Sequence, residues 1–146
     1  MILLDTNVVS EPLKAAGNTN VLAWIDAQII ETLYLSTISL AELRFGIAAL
    51  PEGKRRDKLH FSLEQRVLPL FAGRILPFDE PASQSYAALR ARARVAGQAI
   101  APADGYIAAI AATHGFAVAT RDTSTFNAAG LAVINPWTSE QIDVPG

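Results

Sequence analysis

Cysteine is absent from the 146 residues, which excludes disulfides, thiolate nucleophiles and sulfur-rich metal sites, and fits a reducing compartment. Histidine is almost as scarce, with His60 in a basic run and His114 near a helix end, where a solvated side chain and a dipole partner are the simplest roles. No serine stands in a G-x-S-x-G frame, so the chain lacks the nucleophile elbow of a Ser-His-Asp hydrolase. Gly46 and Gly53-Lys54 are too far apart for a Walker A loop, Arg55 takes the place of its Ser or Thr, and no dinucleotide-binding glycine fingerprint is present. A net charge of −2 rules out a broad basic surface, so a polyanion would have to be met by local patches. No apolar run approaches the ~18 residues of a membrane span, and no basic region precedes an apolar core at the N-terminus. A soluble, cytoplasmic protein is expected.

What the chain does contain is apolar residue, at 51%, enough for residues 1–146 to form one domain with a real core. Ile2-Leu3-Leu4 is too short a run for a helix and reads as a strand buried on both faces, as in parallel sheets. Further short strands are expected at Leu33–Leu35, Ile75–Phe78, Phe116–Ala119 and Leu131–Ile134. Helices are expected between them, from Asn7 to about Lys14, Thr19 to about Ile30, Ser39 to about Leu50, Glu52 to Arg66, Asp79 to about Gly97, and Pro102 to Gly115. Strand and helix therefore alternate without repeats, the pattern of an α/β fold in which helices flank a parallel β-sheet of four to five strands. Lys54, Arg55, Arg56 and Lys58 form the densest basic cluster, read first as a solvated face, and Arg90 and Arg94 share a second face from which Arg92 points away. Asn135-Pro136-Trp137 opens a tail to which the sequence assigns no role.

Four acids stand out by position. Asp5 falls at the end of the first strand, where open α/β sheets place their ligands, although a helix N-cap or Asx-turn would also suit it. Glu42 lies three residues after Ser39, as in a capping box, yet projects beside the apolar stripe of Leu40, Leu43, Ile47 and Leu50 together with Phe45, Gly46 and Ala49. Asp104 sits in a first helical turn, where the dipole favours an acid, but shares its face with Ile107, Ala108 and Ala111. A carboxylate on an inward face is costly unless paired or metal-bound. Asp122 follows the fourth strand in Thr120-Arg121-Asp122-Thr123, as a helix cap or a further site acid. Right-handed crossovers bring the ends of strands one and four to one edge, which would gather all four acids there. Oxygen ligands without cysteine suit a hard cation such as Mg²⁺ or Mn²⁺, able to activate water for phosphoryl displacement.

In LLDTNV, AELRFG, PADGYIAA and VATRD, taken in order along the whole chain, the sequence resembles the PIN-domain nucleases, in particular the VapC toxins of bacterial toxin–antitoxin pairs. LPLFAGRILPFDEP and NPW are especially similar to the FitB-type members. The resemblance implies a PIN-like fold, an acidic cluster of Asp5, Glu42, Asp104 and Asp122 with Thr6 and Thr120 beside it, and Mg²⁺ or Mn²⁺ as cofactor. It also implies an RNA substrate, a homodimer, and a cognate antitoxin with a ribbon-helix-helix end that carries the complex to operator DNA. Many family members have Asn in place of Asp122 and an acid in place of Thr125. The expected function is that of a metal-dependent ribonuclease toxin. The alternative is a non-DNA-contacting half of a repressor complex with weak or no nuclease activity. A receiver-like signalling domain fits an acid after a strand, but no lysine follows Lys58 and Asp104 would be left without a role.

Overall fold

A computed structural model describes all of residues 1–146. Ile2–Leu4 (β1) is the centre of a six-stranded sheet with Leu33–Ser36 (β2), Ile75–Leu76 (β3), Ala117–Ala119 (β4), Val133–Asn135 (β5) and Glu140–Ile142 (β6), in the order β3-β2-β1-β4-β5-β6. The pairings are parallel except β5 with β6. Alternate residues of each strand point to opposite faces, so Leu3, Val118 and Val133 enter one apolar core while Leu4, Leu33, Leu35 and Ala119 enter the other. Burial on both faces explains why the strands read as unbroken apolar runs.

One face is covered by Thr6–Val9 (α1), Thr19–Ala27 (α2), Thr37–Ala48 (α3) and Lys54–Phe61 (α4), and the other by Glu80–Val95 (α5), Pro102–His114 (α6) and Thr123–Ala128 (α7). Helix α6 is the best buried, with Ile107 through Ala111 nearly sealed from solvent. Its alanines and Gly105 let α5 approach closely, and a Cβ at Gly105 would stand 2.9 Å from the Tyr86 ring. Gly115 ends the helix in the left-handed region (φ 69°), and the Phe116 N–H returns to the Ala111 carbonyl at 2.9 Å.

Several features depart from the sequence expectation. Helix α3 begins three residues earlier than Ser39 would have it: Ser36 is the N-cap, and its hydroxyl accepts from the Ser39 N–H at 3.0 Å. Ser39 and Glu42 therefore form no capping box. The stretch after Phe61 continues as a π-helical segment, Ser62–Val67, rather than as regular helix. Asn135-Pro136-Trp137 is no loose tail but the turn of the β5–β6 hairpin, which adds an antiparallel sixth strand to the expected four to five. Arg90 likewise is no free surface cation, because its guanidinium donates to the Ile100 carbonyl at 2.9 Å and clips the α5–α6 connection.

Candidate active site at the carboxyl ends of β1 and β4

From β1 the chain steps out to β2 and β3, then returns to β4 on the other side. The carboxyl ends of β1 and β4 therefore flank the switch point of the sheet, where the connecting segments diverge and leave a crevice. Asp5 and Thr120 are the first residues past these strands, and the Asp5 N–H donates to the Ala119 carbonyl at 2.9 Å. The register of the central pair thus places the two side chains together.

Asp5 is the floor of the site, only 4% exposed. One carboxylate oxygen accepts the Thr6 N–H at 2.8 Å, so the helix-cap role foreseen for Asp5 is realised, and the other accepts the Thr120 hydroxyl at 2.9 Å. These bonds favour the charged form, but burial outweighs them and, with the charges of Asp104 and Asp122 adding to it, lifts the carboxyl to about 6. Thr120 is itself fully buried and accepts the Asp122 N–H at 2.9 Å, tying the floor to the β4–α7 turn.

Asp104 is half-buried in the first turn of α6. The helix dipole would lower its pKa, yet the carboxyl is raised, first by burial and then by the charges of Asp122 and Glu42. The cleft therefore prevails over the helix terminus at this residue. Glu42 is exposed, and its Oε1 accepts the Thr6 hydroxyl at 2.7 Å, which aims it back toward β1. Thr6 Oγ1 also lies 2.9 Å from the buried Ser39 hydroxyl. Asp122 occupies the N-cap position of α7 without making a side-chain cap, so its carboxylate stays available apart from a long contact, 3.4 Å, from the Asn7 amide. Asn7 was not read from sequence as a site residue, and Ser39 was read only as a helix cap. The place of Asn7 two residues after Asp5, and the Ser36-to-Ser39 spacing, were the only signals for them.

The family model of the PIN domain matches residues 2–131. The chain belongs to the PIN-domain family. VapC ribonuclease Y4jK of Sinorhizobium fredii is 65% identical to this PIN domain, over 94% of the chain and 98% of that protein. Toxin FitB of Neisseria gonorrhoeae is 59% identical over 94% and 99%. A solved structure of FitAB bound to an IR36 DNA fragment matches with a TM-score of 0.91 at 58% identity, covering 94% of this chain and 96% of that one. Identities of this size over nearly the full length place the PIN domain in the VapC branch.

The donor set of this PIN domain is oxygen throughout. No three of its His, Asp and Glu side chains stand as a finished ligand cage. The fit to a small hard cation such as Mg²⁺, which keeps several waters and takes one or two carboxylates, rests on this all-oxygen chemistry. The raised carboxyls of Asp5 and Asp104 supply the physical motive, since a divalent ion would offset the repulsion and desolvation that raise them. No helix is long and apolar enough to cross a membrane.

Proposed function

We propose that this PIN domain is a Mg²⁺- or Mn²⁺-dependent ribonuclease that acts in the cytoplasm as the toxin of a toxin–antitoxin pair. The observation that carries the reading is the meeting of buried Asp5 with half-buried Asp104 at the switch point of the sheet, each raised in pKa partly by a neighbouring acid. Asp5 and Asp104 would hold the ion from the floor, with Glu42 and Asp122 contributing from the rim. The bound ion would supply an activated water and charge stabilisation for phosphodiester hydrolysis. Thr120 keeps the Asp5 carboxylate turned toward the cleft, and Thr6 does the same for Glu42.

The relatives' names support the assignment, one being a VapC ribonuclease and another a toxin. FitAB on DNA supports a partner that carries the complex to DNA. In this reading the PIN domain is a homodimer bound by a ribbon-helix-helix antitoxin, whose basic residue enters the acid cluster. An arginine suits that place because its planar fork pairs with two carboxylate oxygens.

The same DNA-bound relative also favours the second reading, in which the chain is a passive half of a repressor complex. The test is RNA cleavage by the chain purified free of any partner, with Mg²⁺ and with chelator. The ribonuclease reading expects Mg²⁺-dependent cleavage that Asp5→Asn and Asp104→Asn abolish at an unchanged circular dichroism spectrum. No cleavage by the wild type, combined with operator binding by its antitoxin complex, would leave the passive reading standing.

A further inference from the structure

Two conspicuous features take no part in the site as described: the Asn135-Pro136-Trp137 turn and Arg121, which sits between Thr120 and Asp122. The acids and their hydroxyl partners come from residues 5–7, 36–42, 102–106 and 120–123, and Arg121 is the one basic residue in those four segments. It is exposed, and it pairs with no carboxylate, since the ion pairs of the structure involve Lys14, Arg44 and Arg56. Its guanidinium instead lies over the Trp137 ring, 5.2 Å from the centroid, while its backbone N–H reaches Asn7 Oδ1 at 3.4 Å.

Trp137 is a fixed platform. Its N–H donates to Asn135 Oδ1 at 2.9 Å, its carbonyl accepts from the Asn20 amide at 2.9 Å, and its ring packs on the core beneath β1. Buried Pro136 stiffens the turn that presents it. A cation beside Asp122 has thus been held on an aromatic face instead of being neutralised by its neighbour.

A phosphodiester entering a cleft of four carboxylates is repelled, and a cation at the rim offsets that repulsion where the chain must pass. Stacking also orders a long side chain in advance, so less freedom is lost when it binds. The guanidinium fork then offers parallel N–H donors that match two phosphate oxygens. We propose that Arg121, stacked on Trp137, is a substrate-positioning residue that contacts an RNA backbone phosphate adjacent to the one cleaved. The proposal rests on the ribonuclease reading above.

The test uses a fluorescein-labelled, mixed-sequence single-stranded oligoribonucleotide. Binding is measured over a salt series in an Asp104→Asn background, and cleavage kinetics are measured in the otherwise wild-type chain. Arg121→Gln should raise Kd and KM about tenfold, the scale of one charged hydrogen-bonded contact, with kcat changed less than about threefold. The slope of log K against log salt should shrink by about 0.7, the value of one single-strand phosphate contact. Arg121→Lys and Trp137→Leu should keep the wild-type slope but weaken binding a few-fold, and Trp137→Phe should recover most of that loss. An unchanged slope and Kd in Arg121→Gln would overturn the proposal, as would a loss of kcat at constant KM. Unchanged RNA binding with weakened antitoxin binding would also overturn it, assigning Arg121 to the protein partner. A wild-type chain that neither binds nor cleaves the RNA would remove the ribonuclease reading, and this proposal with it.

Discussion

The floor and the rim of the cleft carry the same kind of side chain under different physics. On the floor, Asp5 is sealed in, hydrogen-bonded through both oxygens, and still raised to about 6 because desolvation outweighs those bonds. On the rim, Glu42 and Asp122 are exposed, and one of them makes only a long contact to Asn7. A buried charge costs the fold free energy whether or not it is used, whereas an exposed one costs little. The floor is therefore where function opposes stability, and the rim is where substitutions should be tolerated.

The comparison is tested most strongly by activity. Asp5→Asn and Asp104→Asn should each lower Mg²⁺-dependent RNA cleavage by more than about 100-fold, the scale seen when one electrostatic contributor to a transition state is removed. Cleavage assays on partner-free protein check this, and undiminished activity in both variants would remove the floor from the chemistry.

The next effect is on stability against pH in chelator. A carboxyl whose folded pKa is about 6, against 3.8 unfolded, penalises folding above the folded value, and the penalty is relieved as pH falls from about 6 toward 4. Burial of Asp5 thus predicts that the metal-free protein gains about 1.4 kcal/mol of stability between pH 7.5 and pH 5, roughly half of what the whole shift is worth. Urea midpoints at the two values decide it. A midpoint that is lower at pH 5 would show that the floor is better solvated than its geometry implies.

Smaller still is the thermal response of Asp104, the half-buried member of the floor. Removing its charge relieves both its own desolvation and its repulsion with Asp122 and Glu42, so Asp104→Asn should melt higher than wild type in chelator. Millimolar Mg²⁺ should raise the wild-type melting temperature and barely move the variant, because a ligand stabilises only the state that binds it. Destabilisation in chelator together with a full Mg²⁺ response would return Asp104 to the role of an ordinary helix-terminal acid.

The smallest effects belong to the rim. Asp122→Asn should change the melting temperature within the ordinary range of a surface substitution, about 0.5 kcal/mol, because its carboxylate caps nothing. Its cleavage rate should fall far less than that of either floor variant. A loss as large as that of Asp5→Asn would erase the distinction between the two layers.

Much of this arrangement was legible in the residues. Ile2-Leu3-Leu4 announced a strand buried on both faces with an acid at its end, and Pro102 and Gly115 marked the two ends of α6 with Asp104 in its first turn. Other features depended on distant partners. Ser36 and Ser39 both fit a cap in isolation, and the choice of Ser36 follows from β2 running on to pair Ser36 with Leu76. Glu140–Ile142 has no apolar pattern to mark it as a strand, and it becomes one only because β5 offers it an edge. Arg90 and Arg94 looked alike on a helix face until the Ile100 carbonyl claimed the first of them.

By itself the sequence determined most of the alternation of strands and helices, the buried runs of β1 and α6, and which acids could be drawn to one edge, because these depend on periodicity and backbone chemistry within a few residues. The tertiary structure alone decided how much each acid costs. Asp5 and Asp122 are the same side chain, one and three residues past neighbouring strands, but packing around β1 excludes water from the first and leaves the second in it. The desolvation that sets the first carboxyl apart depends on everything folded around it.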